Sequence, residues 1–302
     1  MEIIKELIKI TDSNRVFSDE PMSKHTTFRV GGNADYYVSV KNEEEAVNVV
    51  RLLLANRINY YFIGNGSNLL VSDDGFRGCI IEIGKDFSNV SVDGNVITAE
   101  AGALIVKVAR EAYNNSLTGL EFASGIPGTV GGAVCMDAGA YGGEIKDVVK
   151  TVRLFNTETG EIIEKTTDEM SFSYRHSVCK EEPLIVLSAV FELKEGDKDS
   201  IKVVMDELRE KRTSKQPLEY PSAGSTFKRP EGYFAGKLID DAGLKGYTVG
   251  GAQVSEKHSG FVINKGDATA ADIMTLINNV RDIVKDKFDV VLEPEVCMIG
   301  EF

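Results

Sequence analysis

Residues 125–143 read GIPGTVGGAVCMDAGAYGG, with glycine at positions 125, 128, 131, 132, 139, 142 and 143 out of 29 in the whole chain. Glycine is favoured where backbone takes positive φ or comes within touching distance of a ligand, and clustered N–H groups then form an anion-binding nest. A tightly packed loop of small residues would look the same. Alone, the stretch leaves a cofactor cradle and a packed turn both open.

A second segment sharpens the choice. Gly64-Asn65-Gly66-Ser67-Asn68 follows the apolar run YYFI, where α/β proteins place phosphate-binding turns. It fails the dinucleotide fingerprint G-x-G-x-x-G, because Leu69 takes the third glycine position and LVSDDGF opens no helix. No P-loop pattern occurs either. Two separate turns rich in backbone donors suit an extended ligand with two phosphates, so the expectation is the floor of a dinucleotide cofactor site.

Outward from these turns the texture changes twice. At the start, MEIIKELIKI places Ile3, Ile4, Leu7 and Ile8 on one helical face, and EEEAVNVVRLLLAN repeats the pattern behind an acidic first turn. Between them, Tyr36, Val38 and Val40 alternate as a strand after Gly31-Gly32. From about Cys79 to Leu193 come short β-rich runs with one helix at ALIVKVAREAYNN, which suggests a mixed or antiparallel sheet. After the charged break KEGDKDS, the helices IKVVMDELREKR and ADIMTLINNVRDIVKDKF frame a third, α/β segment. The end, VVLEPEVCMIGEF, reads as a strand returning to an earlier sheet.

With 34 basic against 47 acidic residues the net charge is -13, which argues against broad contact with nucleic acid or an anionic membrane. Any anionic ligand must then be met by a local cluster of bases. Cys79, Cys135, Cys179 and Cys297 form no C-x-x-C pair and have no histidine at metal-ligand spacing, so they read as reduced, mostly buried thiols with no metal. The N-terminus lacks a signal-peptide core and no run approaches a membrane span, so a soluble cytoplasmic enzyme is expected.

Three further motifs carry chemistry. In SFSYRHS, Tyr174 and Arg175 are adjacent in what reads as a strand or its end, and arginine offers a planar fork for a carboxylate; a surface arginine is the plain alternative. Ala223-Gly224-Ser225-Thr226-Phe227-Lys228-Arg229-Pro230 puts a serine on a glycine turn with two bases behind it. No G-x-S-x-G elbow exists, and His25, His176 and His258 give no triad spacing, so a serine hydrolase is the weaker reading. In Leu292-Glu293-Pro294-Glu295-Val296, two carboxylates interrupt an apolar run, and burying one costs several kcal/mol unless it is paired or protonated. An exposed edge strand would accommodate both equally well.

Taken in order, IGNGSNLL, SGIPGTVGGAVCMDAGAYGG, SYRHS, AGSTFKRP and LEPEV resemble the motif series of the UDP-N-acetylenolpyruvoylglucosamine reductase family, across nearly the whole chain. The resemblance implies an α+β, three-part flavoenzyme: a two-domain FAD-binding unit of the vanillyl-alcohol-oxidase type and a C-terminal α/β substrate domain. Its boundaries would be 1–83 (with 289–302 returning to it), 84–195 and 196–288. It implies non-covalent FAD lined by Gly64, Asn65, Gly66, Ser67, Asn68 and Leu69, then by Ile126, Pro127, Gly128, Thr129, Gly131, Gly132, Ala133, Ala140, Tyr141 and Gly142. Arg175, Ser225 and Glu295 would be catalytic, and Tyr174, Lys228, Arg229, Gln253 and His258 would contact the UDP-sugar. Only residues 176–196 separate Arg175 from the next helix, so the chain resembles the shorter subtype that lacks a tyrosine-bearing capping loop.

The implied reaction uses NADPH to reduce the flavin, after which the enolpyruvyl substrate accepts hydride at its vinyl carbon and charge builds beside the carboxylate. Arg175 would hold that carboxylate, Glu295, if protonated through burial, would hydrogen-bond the enolate, and Ser225, helped by a cation such as Lys228, would deliver the proton. Two rivals remain at this point: a flavin oxidase acting on an alcohol, with a covalent tether that only Cys135 could supply from these loops, and a non-enzymatic nucleotide-binding module.

Overall fold

The computed structural model describes residues Glu2 to Phe302, leaving Met1, the first residue of the expected N-terminal helix, outside the description. The chain divides into two compact units. The first contains the residues up to Ser18, Tyr36–Asn65 and Gly78–Lys211; the second contains Asp19–Asp35, Gly66–Arg77 and Arg212–Phe302.

In the first unit, helix α1 (Glu2–Ile10) packs on α2 (Glu43–Ala55). The Asn42 side chain caps α2 by accepting from the Glu45 N–H at 2.9 Å, and three glutamates follow in the first turn, where the helix dipole favours them. The neighbouring sheet has the order Val16–Pro21, Asn33–Val40, Phe76–Ile83, Tyr60–Ile63, and its last two strands run parallel, with Tyr60 opposite Cys79. A five-stranded sheet follows, ordered Ile162–Thr166, Val149–Asn156, Leu184–Glu192, Val96–Glu100, Val90–Asp93, and every one of its pairs is antiparallel. Helices α3 (Ile105–Asn114) and α4 (Val130–Cys135) pack on this sheet and share one apolar core with α1 and α2. The antiparallel expectation for this region holds because residues alternate between core and solvent along strands such as Val96–Glu100.

The second unit has its own core around a three-stranded antiparallel sheet, Thr248–Val249, Ala252–Val254 and Val262–Asn264. Following α5 (Lys198–Lys215), the short α6 (Ala235–Asp241) packs with α7 (Ala270–Phe288), whose inner face carries Ile273, Leu276, Ile277, Val280 and Val284. Thr269 and Asp272 form a capping box at the start of α7, and the Asp73 carboxylate accepts from the Ala270 and Ala271 N–H groups at 2.8 and 2.9 Å.

The C-terminal run is less strand-like than its sequence suggests. Only Cys297–Ile299 forms a strand, pairing in parallel with Leu69–Val71. Pro294, which cannot donate to a ladder, confines its segment to an isolated bridge with Phe227. The cysteines also differ: all four are thiols, but only Cys79 is fully buried. Among the described residues, no helix is long and apolar enough to cross a membrane.

Candidate functional site

In the first unit the strand Tyr60–Ile63 delivers Gly64 and Asn65 against the longer glycine loop. A Cβ on Gly64 would lie 2.2 Å from Thr129 Oγ1, so only glycine fits. The Asn65 side chain donates to the Pro127 carbonyl at 2.6 Å across 62 residues of sequence. Two turns that the sequence keeps apart are therefore stitched edge to edge. Thr129 is also the N-cap of α4, accepting from Gly132 N–H at 3.4 Å.

The nest is thinner than the glycine count suggests. Val130 and Gly131 donate their N–H groups to the Ala103 and Ala101 carbonyls at 2.8 Å, and a Cβ on Gly131 would sit 3.1 Å from that of Ala101. Gly131 thus serves packing, with its donor spent inside the protein. Gly132 is exposed, with Thr129 Oγ1 3.7 Å from its missing Cβ, and Gly142 faces open space, where a Cβ would meet nothing within 4 Å. Ile126, Gly128 and Ala140 are half-buried, Ala133 is buried, and Asn65, Pro127, Tyr141 and Gly142 form an exposed rim. In the second unit, Gly66 takes φ +60 with its missing Cβ 1.9 Å from the His25 carbonyl, and Ser67 follows half-buried. Asn68 donates its side-chain N–H to the Glu295 carbonyl at 3.1 Å, and Leu69 pairs with Cys297.

Tyr174 and Arg175 form a tight turn closed by a Ser173–His176 bridge; the strand expected for them is absent, and with it the argument from alternating faces. Arg175 adopts φ +58, a left-handed conformation that costs a non-glycine residue about 1 kcal/mol. Three tethers offset it. The guanidinium donates to the Gly139 carbonyl at 3.4 Å and lies 4.8 Å from the Tyr174 ring centre, and Ser177 Oγ donates to the Cys135 carbonyl at 2.9 Å. Residues 139–144 fold as a hairpin, pairing Gly143 with Ala140 and Glu144 with Gly139.

Below that hairpin lies Asp137, a buried carboxylate that the sequence reading passed over, although an acidic residue amid small ones was a visible signal. Burial pushes its pKa up, opposed by the Lys146 N–H and ammonium. Lys146 is itself raised, chiefly by Glu144, which is its nearer partner. The upward shifts of acid and base disagree as a simple ion pair; Glu144, closer to the ammonium, resolves them. Burial also lifts the Cys179 thiol to about 12, which leaves it unreactive.

In the second unit residues 226–228 pair antiparallel with residues 293–295 around an isolated Phe227–Pro294 bridge, with Ser225 one residue before the pairing. Glu295 N–H donates to the Thr226 carbonyl and Lys228 N–H to the Glu293 carbonyl, both at 2.8 Å. Thr226 is fixed from its other side, donating its N–H to Gly260 and accepting at Oγ1 from Val262 N–H at 2.9 Å. Gly224, at φ +76, turns the chain so that Ser225 is exposed, while Glu295 is half-buried and Glu293 exposed. Lys228 pairs with Glu293 at 3.2 Å. Arg229 lies 3.9 Å over the exposed Phe234 ring. Gln253 bonds Thr248 Oγ1 at 3.1 Å through its NH2 group, leaving its buried carbonyl oxygen without a protein partner. His258 accepts from Gly260 N–H at Nδ1, and burial holds its basicity below the usual histidine value, so at neutral pH it offers one Nε2–H donor and no charge. Among the described residues no group of three or more His, Cys, Asp or Glu could hold a metal ion.

Comparison with known proteins fits this inventory. A family model described as "UDP-N-acetylenolpyruvoylglucosamine reductase, C-terminal domain" matches residues 216–299, and one described as "FAD binding domain" matches 34–166. The chain is 57% identical to the UDP-N-acetylenolpyruvoylglucosamine reductase of Agathobacter rectalis, over 95% of each chain. It is 50% identical to that of Clostridioides difficile strain 630, over 99% of this chain and 98% of the relative. The crystal structure of the reductase from Thermus caldophilus superposes with a TM-score of 0.80 at 35% identity, covering 93% of this chain and 97% of that one. A Phl p 4 glucose oxidase variant, 13% identical over 66% of this chain with a TM-score of 0.50, shares the fold alone. The chain belongs to the UDP-N-acetylenolpyruvoylglucosamine reductase family.

Proposed function

We infer that the protein is an FAD-containing oxidoreductase that uses NADPH to reduce UDP-N-acetylglucosamine enolpyruvate to UDP-N-acetylmuramate, in peptidoglycan precursor synthesis in the cytoplasm. The observation that carries the reading is the main-chain pairing of residues 226–228 with residues 293–295, which brings the segments of Ser225 and Glu295 together, an arrangement that a nucleotide-binding module has no use for. The division into 1–83 with 289–302, 84–195 and 196–288 stands as the domain proposal, supported by the separate four-, five- and three-stranded sheets.

The residues present fit FAD. The Gly64–Asn65 turn, stitched to Pro127, and the exposed Gly132 and Gly142 give an extended shelf free of side chains, with residues 66–69 continuing it in sequence. Neither loop carries a histidine, which supports non-covalent binding and leaves Cys135 as the one residue of these loops that could form a tether. When bound, FAD supplies the two-electron relay between NADPH and the enolpyruvyl double bond. Arg175, pre-set by its left-handed turn, binds the substrate carboxylate through its planar fork. Glu295, in its protonated form, hydrogen-bonds the oxygen that gains charge, and Ser225 gives its hydroxyl proton to the carbon beside the carboxylate. Gln253 presents an unsatisfied carbonyl oxygen and Arg229 a cation to the sugar nucleotide, with Tyr174, Lys228 and His258 as further contacts.

The test is anaerobic. NADPH is expected to bleach the flavin and added UDP-N-acetylglucosamine enolpyruvate to restore its colour without oxygen; a flavin that stays reduced refutes the reading.

A further inference from the structure

We propose that Asp137 is the positioning residue for Arg175, holding the Gly139–Glu144 hairpin closed so that the Gly139 carbonyl meets the guanidinium. The inference rests on the reading of Arg175 as the carboxylate-binding group.

Asp137 is completely buried and sits at φ +40, a conformation that non-glycine residues rarely adopt. Its Oδ1 accepts from the Lys146 N–H at 3.0 Å, closing the base of the hairpin across nine residues. Inside that closure Ile145 N–H donates to the Ala138 carbonyl at 3.2 Å, and Gly139 pairs with Glu144. The residues flanking Asp137 carry three tethers to the segment of the Arg175 turn. Cys135 offers its carbonyl to Ser177 at 2.9 Å, Met136 its sulfur to Lys180 at 3.9 Å, and Gly139 its carbonyl to Arg175 at 3.4 Å. Lys180 also donates to the Arg175 carbonyl at 3.5 Å. Loss of the Asp137 hydrogen bond therefore loosens the platform under a strained turn.

The charge of Asp137 is secondary. The Lys146 ammonium stands 3.5 Å from Oδ2, a long ion pair, and is closer to Glu144. An oxygen acceptor at position 137 is sufficient, so asparagine fulfils the role and alanine does not.

The experiment titrates holoenzyme with UDP-N-acetylmuramate, which carries the carboxylate, through the flavin absorbance change. Asp137→Ala is expected to weaken product binding roughly tenfold, the scale of a sub-ångström misplacement. Asp137→Asn should stay within about threefold of the unmodified enzyme; because Ala140, Tyr141 and Gly142 of the same hairpin are read as FAD contacts, every titration is run with FAD in excess so that product binding is compared between loaded enzymes. In an Arg175→Lys background Asp137→Ala should add nothing, since residues acting through one another are not additive. Full multiplication of the two effects or unweakened binding by Asp137→Ala overturns the proposal alone. If Arg175→Lys binds product normally, the reading of Arg175 falls and takes the proposal with it. Should Asp137→Ala fail to fold, Gly139→Ala opens the same hairpin, its Cβ landing 2.7 Å from Glu144 Cγ and 2.8 Å from the Gly143 carbonyl, and carries the same expectations.

Discussion

Replacing Gly64 by alanine tests whether the two glycine turns act as one cradle. The new Cβ would stand 2.2 Å from Thr129 Oγ1, where real Cβ contacts essentially never fall below 3.0 Å. Thr129 cannot retreat: it is buried, its carbonyl accepts from Ala133, and the next N–H is held by Ala103. Relief has two routes. Rotating the Thr129 side chain forfeits the α4 cap, about 1 kcal/mol, and adds about 1 kcal/mol for an off-rotamer side chain. Moving the Gly64–Asn65 turn outward instead breaks the 2.6 Å bond from Asn65 to Pro127, worth about 1 kcal/mol, and strains the strand behind it. Either route comes to about 2 kcal/mol, within the usual range for overpacking.

If FAD spans both turns, that cost appears in its affinity as a roughly 30-fold rise in dissociation constant. Titrating apoprotein with FAD and following flavin fluorescence measures it, with the melting temperature of the apoprotein as a check on folding. Thr129→Ala supplies the control, because it removes the obstructing oxygen. The double variant should bind FAD as Thr129→Ala alone does, and more tightly than Gly64→Ala. A folded Gly64→Ala enzyme that binds FAD within about twofold of the unmodified one would refute the shared cradle, as would a double variant weaker than both single ones.

Ser225→Ala should leave flavin bleaching by NADPH intact while reoxidation by the enolpyruvyl substrate slows by about 10²–10⁴, the scale of a lost general acid; stopped-flow absorbance separates the half-reactions, and equal loss of both removes Ser225 from proton delivery. Stability should fall in acid through Glu45. Burial raises its pKa, but hydrogen bonds from Arg15 and the Lys41 N–H outweigh this and hold it below the ordinary value of 4.5. A depressed folded value contributes stability that is fully present above 4.5 and is lost as pH drops through the folded value. The urea midpoint should therefore decline below about pH 4.5, and in Glu45→Gln that part of the decline should vanish, at a cost of about 1–3 kcal/mol at pH 7, because Arg15 keeps Asp12 and the Ser39 carbonyl as partners. Gly66→Ala, with its Cβ aimed at the unyielding His25 carbonyl at 1.9 Å, should destabilise the second unit itself, read as a lower melting temperature even with FAD in excess.

The elements were legible because their signals are local. Helix α2 announces itself by Asn42, three glutamates and a repeating apolar face, and the alternation in Val96–Glu100 marks a half-buried strand. The candidate site was legible only as residue types. The strand expected at Tyr174–Arg175 is a turn because Arg175 occupies a left-handed conformation supported by the distant Gly139 carbonyl, which no neighbour in sequence advertises. Asp137 escaped notice for a related reason: its partner lies nine residues away and is a backbone N–H, invisible to any search for paired side chains.

The same reasoning explains why Ser225 and Glu295 carry different weight from the motifs that flagged them. Neither AGSTFKRP nor LEPEV contains a pairing signal, and Pro294 argues against a strand. The ladder forms because proline sits where its missing N–H is not required: the donors are Lys228 and Glu295, on either side of the Phe227–Pro294 bridge. Residues 226–228 are thereby fixed against residues 293–295 by two main-chain hydrogen bonds, with Ser225 one residue outside the pairing, so the backbone that places Ser225 and Glu295 is held by main chain alone. A substitution at either side chain leaves that frame standing, so loss of rate in Ser225→Ala would report lost chemistry with the backbone of the site preserved.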